Sequence, residues 1–377
     1  MNTKLFLTAY VSEITSNLLN FFGDENFDFN RYVKRKEETP KITPKSIIIK
    51  FLNKKNYINL SLFSRIVINA IEFIEPFLPR FDALYQQLHD DDSRNILIKI
   101  LAYRALGYKK VKLPLNMPEY WAGIERVKAL ADPSNNIPFT FVALEYKSKL
   151  LLFDLQMINI PITLYSTPFS IYNEFIAEQY KCISDQTKIG VEVGDTVIDV
   201  GGCWGGTSLY SAHYTGDEGK VFTFEFAPGN LDVFSRNLDL NPLLKERIKI
   251  IDRAAWSSSN LRLNFEENGP GTRVIPDNID NTGGVETLSI DDLVESKGIS
   301  RVDFIKMDIE GSELKALQGA LNTIKRDRPK MAICIYHRLV DFVDIPEFIL
   351  SLNLGYSFYI RHYTIYDEET ILYAKVT

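Results

Sequence analysis

The sequence predicts an α/β fold in which a mostly parallel sheet presents a ligand site at the carboxyl ends of its strands. Three observations lead there. The run Val197-Ile198-Asp199-Val200 breaks into Gly201-Gly202-Cys203-Trp204-Gly205-Gly206, which reads as a buried strand, a tight turn and the start of a helix. Strand and helix patterns then alternate from Lys220 to Arg338, as crossover units of a parallel sheet require. Finally, two strand patterns at Tyr356–Ile360 and Thr370–Lys375 are joined by a short polar link. They form a hairpin, which adds an antiparallel strand to the sheet.

The glycine turn is the first candidate for chemistry. Gly201 and Gly205, flanking Gly202 and Cys203, allow the backbone to reverse and to approach a ligand more closely than side chains permit. Glycines at 201, 203 and 206 would make the dinucleotide fingerprint, but Cys203 fills the middle slot. Asp199, two positions before the first glycine, and a glycine four residues after it suit a cationic, phosphate-free nucleoside such as S-adenosylmethionine. A tight strand-to-helix turn without a ligand is the plain alternative.

The second strand, Lys220 to Glu225, ends in a carboxylate placed for ribose hydroxyls. A solvated strand-end acid is the alternative for Glu225, disfavoured by Phe222, Phe224 and Phe226 around it. After a helical stretch at Asn230–Asn241 comes a third strand, Ile248–Ile251, followed by Asp252, Arg253, Ala254, Ala255 and Trp256. Asp252 and Ala254 are candidates for an adenine site with Trp256 offering a ring face; a core tryptophan beneath a loop is the alternative. Residues 257–286 read as hairpins and loop.

A fourth strand from Arg301 runs into Lys306-Met307-Asp308-Ile309-Glu310-Gly311-Ser312-Glu313, with helix to about Arg326. At the switch point of an open parallel sheet, Gly201 and Asp308 face one cleft. Glu310 and Glu313 are either functional acids or acids favoured by a helix N-terminus. The fifth strand, from Met331, brings Tyr336 and His337 to the same edge. Ile345–Leu352 reads as a helix with Pro346 in its first turn, and Arg361, His362 and Tyr363 fall on the hairpin's link, within reach of the cleft.

These segments resemble the FkbM-type S-adenosylmethionine-dependent methyltransferases. The likeness rests on Asp199 through Glu225, Ile305 through Glu313 with Leu317, Gly319 and Ala320, and Tyr336-His337; it covers about residues 180–377, and Leu101–Gly107 more loosely. It implies a class I methyltransferase (Rossmann-like) fold with a seven-stranded sheet, S-adenosylmethionine as cofactor, and methylation of a hydroxyl oxygen on a sugar or glycosylated metabolite. By position, Asp199, Gly201 and Gly205 match the family's cofactor loop, Glu225 its ribose acid, and Asp308 to Gly311 its acidic motif. Gly202-Cys203 replaces the family's usual Ala-Asn, and Phe226 its frequent proline.

Composition agrees with an ordinary soluble enzyme: 377 residues, 45% hydrophobic and 24% charged. A net charge of -6 argues against a nucleic-acid binder, which needs a basic face. Three unspaced cysteines, Cys182, Cys203 and Cys334, point to a reducing compartment and hence to the cytoplasm. No apolar run spans a membrane. An N-terminal helix with Leu7, Val11, Ile14, Leu18 and Phe22 on one face is expected, not a signal peptide.

Two regions follow from this reading: an accessory region at 1–138, mainly helical with short strands, and a methyltransferase domain at 139–377 whose core sheet occupies 190–377. In the first, helices are expected at Arg65–Leu78 and Ser93–Leu106, short strands at Ile47–Leu52 and Lys110–Leu113, and an exposed loop at Lys34–Lys41. In the second, Phe139–Tyr146 and Leu150–Gln156 form a hairpin about Lys147–Lys149, Ile162–Tyr165 adds a strand, and a helix spans Ser170–Ile183 with Tyr180 edging the site.

His337 is the expected base, titrating near about 6.5, with Asp308 positioning donor and acceptor. Tyr336, Glu310, Arg361 and His362 are expected to contact the acceptor, a small molecule or glycan. No metal is expected, because two acids without a supporting histidine or asparagine make a thin ligand set. A valine at Gly201 is expected to obstruct the ligand and to affect the melting temperature less. An NAD(P)-dependent oxidoreductase and a non-catalytic module on a nucleotide-binding fold are the competing readings.

Overall fold

The computed structural model describes residues 5–28, 60–141, 146–184, 187–275 and 284–377. Contacts divide the chain into two compact units, Met1–Met117 with Thr364–Glu368, and Pro118–Tyr363 with Glu369–Thr377. The division therefore falls at 117/118, not at 138/139. The helix Pro118–Ala129 is the reason: the Tyr120 ring meets Tyr172 edge-on at 5.2 Å, and a Cβ on Gly123 would stand 2.5 Å from the same ring.

Helices build the described part of the first unit. The helix Leu5–Asn17 buries Phe6, Tyr10, Ile14 and Asn17, so its inner face is rotated from the one expected through Leu7 and Val11. Aromatic area decides the difference: Phe6 stacks on Phe81 at 5.6 Å, and the Tyr10 hydroxyl donates to the Ala70 carbonyl at 2.9 Å. Helices at Leu60–Ile74 and Asp91–Leu106 overlap the expected ones. Asp90 caps the latter by accepting from Ser93 N at 2.8 Å, and Gly107 at φ 78° closes it. Lys110–Leu113 is not a strand; the Asn26 side chain donates to the Val111 carbonyl at 2.9 Å, taking up backbone that a ladder would need. Ile47–Leu52 and Lys34–Lys41 lie outside the described residues.

The second unit contains sixteen described strands: β1 (Ala131–Phe141), β2 (Tyr146–Asp154), β3 (Thr163–Ser166), β4 (Cys182–Ser184), β5 (Thr187–Ile189), β6 (Thr196–Val200), β7 (Lys220–Phe224), β8 (Ile248–Ile251), β9 (Ala254–Ala255), β10 (Arg262–Glu266), β11 (Arg273–Ile275), β12 (Val285–Leu288), β13 (Phe304–Met307), β14 (Lys330–Cys334), β15 (Tyr356–His362) and β16 (Thr370–Val376). Seven form the central sheet, in the order β15-β16-β14-β13-β6-β7-β8. β6, β7, β8, β13 and β14 pair in parallel, while β16 runs antiparallel to both β14 and β15. This is the class I methyltransferase arrangement, with its switch point between β6 and β13. Val197, Ile198, Val200, Phe304, Ile305 and Met307 are buried, as strands covered on both faces must be.

Smaller sheets frame the switch point. β1, β2 and β3 form an antiparallel sheet, and Phe139 and Leu150 on it cluster with Trp204 and Val233. The Asn237 side chain locks that sheet to the glycine turn, donating to the carbonyls of Trp204 at 2.8 Å and Tyr165 at 3.0 Å. Lys147–Lys149 proves to be part of β2, paired with β1 residues Pro138–Thr140.

Three expected helices differ. Ser170–Ile183 is a short helix at Pro168–Ile171 followed by a π-helical turn at Tyr172–Ile176, because Cys182–Ser184 is drawn into pairing with Thr187–Ile189. The helix after Glu313 breaks into Glu313–Gln318 and Leu321–Asp327; a Cβ on Gly319 would stand 2.0 Å from the Trp256 carbonyl, so that close approach interrupts it. Pro346 lies inside the helix Asp341–Ser351, not in its first turn. Arg338 grips Asp341 at 2.6 Å, and this pair starts the helix four residues early.

Candidate active site

The turn after β6 is held from within. Gly201 N and Gly202 N both donate to the Phe224 carbonyl at 3.0 Å, and Gly201, Cys203 and Gly205 have φ of 92°, 46° and 88°. Asp199 accepts from Thr207 Oγ1 at 2.8 Å and Ser208 Oγ at 2.7 Å through one oxygen, while Lys306 approaches the other at 3.2 Å. Asp199 was expected at the cofactor; its carboxylate is instead engaged internally and 1% exposed, so it acts by shaping the turn.

Lys306 is the partner that sequence reading passed over. It stands opposite Asp199 in the β13–β6 register and donates to the Gly201 carbonyl at 2.6 Å. The signal was available: Lys306 interrupts the apolar strand that ends just before Asp308. A buried lysine also needs an anion, and Asp199 was the one already placed at that depth. The pairing explains why Lys306 stays charged in spite of its burial.

Glu225 lies just past β7. Its Oε1 accepts from Phe226 N at 2.7 Å and Ala227 N at 2.8 Å, and Asn230 donates to Oε2 at 3.3 Å. Burial outweighs these bonds and pushes the carboxyl up to about 7. Asp252 is exposed after β8, whereas Ala254 and Trp256 are buried. Ala254 pairs with Thr287.

Beyond β13 the chain packs against the glycine turn: a Cβ on Gly201 would lie 2.0 Å from the Asp308 carbonyl. Asp308 collects three donors, Tyr180 Oη at 2.9 Å, Tyr336 Oη at 3.3 Å and His337 Nε2 at 3.1 Å. Glu310 at φ 54° and Gly311 at φ 92° turn the chain so that Glu310 Oε2 comes within 3.4 Å of His337 Nδ1. Glu313 Oε1 lies 3.2 Å from His337 Nε2 and accepts from Ile309 N at 2.8 Å. Glu313 is therefore not an exposed helix-end acid; it is fully buried, and its Oε2 has no hydrogen-bond partner.

This geometry changes the role expected of His337. Burial disfavours the imidazolium, but the Glu313 charge and the hydrogen bonds to Asp308, Glu310 and Glu313 together raise it well above the ordinary histidine value. A titration near 6.5 is thus replaced by a histidine that keeps its proton, and both ring nitrogens face carboxylates. Asp308 is held below the carboxylate range: burial opposes ionisation, but the His337 hydrogen bond and the Lys306 and His337 charges prevail. The ground for expecting no metal also falls, since Asp308, Glu313 and His337 offer ligand atoms within 4.8 Å of one another.

The other acceptor candidates are placed apart from this cluster. Arg361 and His362 belong to β15 rather than to the link, and His362 Nδ1 is 3.0 Å from Thr370 Oγ1 across to β16. Since β16 and β14 intervene between β15 and β13, His362 lies about 14 Å from Asp308's strand at ordinary strand spacing.

The sheet order and the acid-rich crevice at the switch point define a class I methyltransferase domain. Residues 188–358 match the family described as the methyltransferase FkbM domain. Its methyl donor is S-adenosylmethionine. The buried Glu225 carboxylate and the close turn at Gly201 fit such a phosphate-free nucleoside.

Among curated proteins, the chain is 29% identical over 139 residues, 36% of its length, to hexuronic acid methyltransferase AglP of Haloferax volcanii. It is 28% identical over 154 residues, 33% of its length, to methyltransferase sdnD of Sordaria araneosa. The matches span 55% and 59% of those proteins, little more than half of each. Among solved structures it is similar to methyltransferase FkbM from Methylobacillus flagellatus KT, at 24% identity, with 82% of this chain and 61% of that one covered and a TM-score of 0.49. No described helix is long and apolar enough to cross a membrane.

Proposed function

We propose that this chain methylates a hydroxyl oxygen of a sugar or glycosylated metabolite, with Asp308 as the group that meets the acceptor. The observation that carries the reading is the Asp308 cluster, set directly against the cofactor turn and oriented by Tyr180, Tyr336 and His337. The sugar acceptor is supported by the name of the Haloferax volcanii relative.

S-adenosylmethionine, when bound, supplies an activated methyl group. The residues then have to align an oxygen with it and exclude water. Glu225 is placed to accept from the ribose hydroxyls, and the turn from Gly201 to Gly205 is placed to receive the remainder. Asp308 keeps 21% of its side chain exposed against 6% for His337, so the acceptor hydroxyl meets Asp308. A hydroxyl becomes strongly acidic as its oxygen gains the methyl group, so even a carboxylate of low basicity takes the proton late in the step. His337 positions Asp308 and balances its charge with Lys306; neither ring nitrogen is open to the acceptor.

The test is incubation of the protein with labelled S-adenosylmethionine and a panel of hexuronic acids and neutral sugars, read by mass spectrometry. A labelled methyl ether stable to mild alkali is expected. An alkali-labile ester would overturn the hydroxyl assignment, and label on no sugar would overturn the acceptor class.

Glu225 gives a separate prediction. Ribose hydroxyls bond to its ionised form, so affinity for 5′-methylthioadenosine should rise with pH up to about 7 and level off above, because the free carboxyl is pushed up to about 7. Glu225→Gln should bind at least about tenfold more weakly above that pH, since a charged hydrogen bond is worth roughly 1.5–3 kcal/mol, and should lose the slope. Calorimetry showing the same slope in the variant would remove Glu225 from the site.

A further inference from the structure

Glu174 belongs to no motif of the sequence reading. It sits on the π-helical turn Tyr172–Ile176, a departure from α-helix that is frequent at functional sites. Its Oε2 is shut off from solvent with no hydrogen-bond partner, and a Cβ on Gly206 would stand 1.9 Å from that oxygen. The carboxylate is therefore pressed against the first residue of the helix that follows the cofactor turn. Lys306, whose charge Glu174 feels, is already paired with Asp199 and the Gly201 carbonyl.

Two further facts place this carboxylate near the cofactor turn. The residue lies deep in the unit, yet keeps part of its surface uncovered. Gly201, Cys203 and Asp308 share this partial exposure. Cys203 on the turn is also within the electrostatic influence of both Glu225 and Glu174. With the ribose assigned to Glu225 and the reacting methyl to Asp308, the part of the donor left to satisfy Glu174 is its cationic methionine end.

We propose that Glu174 binds the α-ammonium group of the methionine portion of S-adenosylmethionine, a contact that rests on that molecule's being the donor. Gly206 is then glycine because any side chain would occupy the space of the carboxylate. Burial pushes Glu174 up to about 8 in the free protein, and a bound ammonium supplies the charge that keeps it ionised.

Calorimetry with two ligands tests the contact. S-adenosylhomocysteine carries the amino-acid end; 5′-methylthioadenosine lacks it and keeps the nucleoside. Glu174→Gln should weaken S-adenosylhomocysteine by at least about tenfold, the scale of a charge-assisted hydrogen bond, and leave 5′-methylthioadenosine within about twofold. Unchanged S-adenosylhomocysteine affinity, or equal loss for both ligands, would overturn the proposal. Failure of the unaltered protein to bind S-adenosylhomocysteine would instead remove the donor reading. Should Glu174→Gln not fold, the unaltered protein is titrated with an S-adenosylhomocysteine analogue bearing hydroxyl in place of the amine; equal affinity for the two would overturn the proposal.

Discussion

Asp308→Asn is expected to lower turnover by at least about a hundredfold, equivalent to about 2.7 kcal/mol of transition-state stabilisation. The substitution keeps shape and removes the carboxylate that the site is built to hold. Tyr180, Tyr336 and His337 all direct hydrogen atoms at Asp308, and an asparagine can accept through only one oxygen. Its amide nitrogen must then face one of these donors, so the side chain shifts as well as losing its charge. Affinity for S-adenosylhomocysteine should fall too, because Asp308 abuts Gly201, but by less than turnover. His337→Gln should reduce turnover and leave donor affinity unchanged, as befits a positioning residue. Single-turnover kinetics beside calorimetry separates the two quantities. An Asp308→Asn enzyme within threefold of normal turnover would remove Asp308 from the chemistry. Activity lost to a chelator and restored by magnesium or manganese would place a cation among Asp308, Glu313 and His337.

Much of the central sheet was legible because its strands announce themselves. Val197–Val200 and Ile305–Met307 are apolar but for Asp199 and Lys306, as strands buried on both faces largely are, and the turn after each carries glycine or acids that a strand would not. Tyr356–Ile360 and Thr370–Lys375 revealed β16 as the antiparallel member for the same reason. The failures lie where long-range contacts overrule local pattern. Ser170–Ile183 has helical spacing throughout, but Cys182–Ser184 gains a strand partner in Thr187–Ile189, and no periodicity announces a π-helical turn. Pro346 suggested a helix start, whereas the Arg338–Asp341 pair supplied one upstream.

The site was legible in its members and less so in their roles. Asp308, Glu310, Tyr336 and His337 were picked from strand ends and do converge. Their protonation was not readable, because it depends on how many carboxylates surround one imidazole. Glu313 looked like an ordinary acid in a first helical turn, and only its burial beside His337 shows otherwise. Asp199 and Lys306 illustrate the same point: each is readable as a strand residue, but their pairing is a matter of register between β6 and β13. His362 was drawn in by the scarcity of histidines, a compositional argument that carries no geometry.

Gly201→Ala should lower the melting temperature by roughly 10 °C. Two costs combine. At φ 92° an L-residue is strained by roughly 1–2 kcal/mol, and its Cβ would meet the Asp308 carbonyl oxygen at 2.0 Å and the carbon at 3.0 Å. Both atoms are backbone, so no side-chain rotation relieves the contact; the ends of β6 and β13 must separate. A total of about 3 kcal/mol or more corresponds to such a shift, at about 2–4 °C per kcal/mol for a domain of this size. This reverses the expectation that substitution here would mainly obstruct a ligand. Gly298→Ala is the control, because φ there is 61° with open space around the Cβ position, so only the backbone strain applies. Equal melting shifts for the two variants would mean that the approach of Gly201 to Asp308 stores no stability. A much larger shift at Gly201, with S-adenosylhomocysteine binding lost in the fraction that folds, would show that the same close contact joins the cofactor turn to the acidic motif.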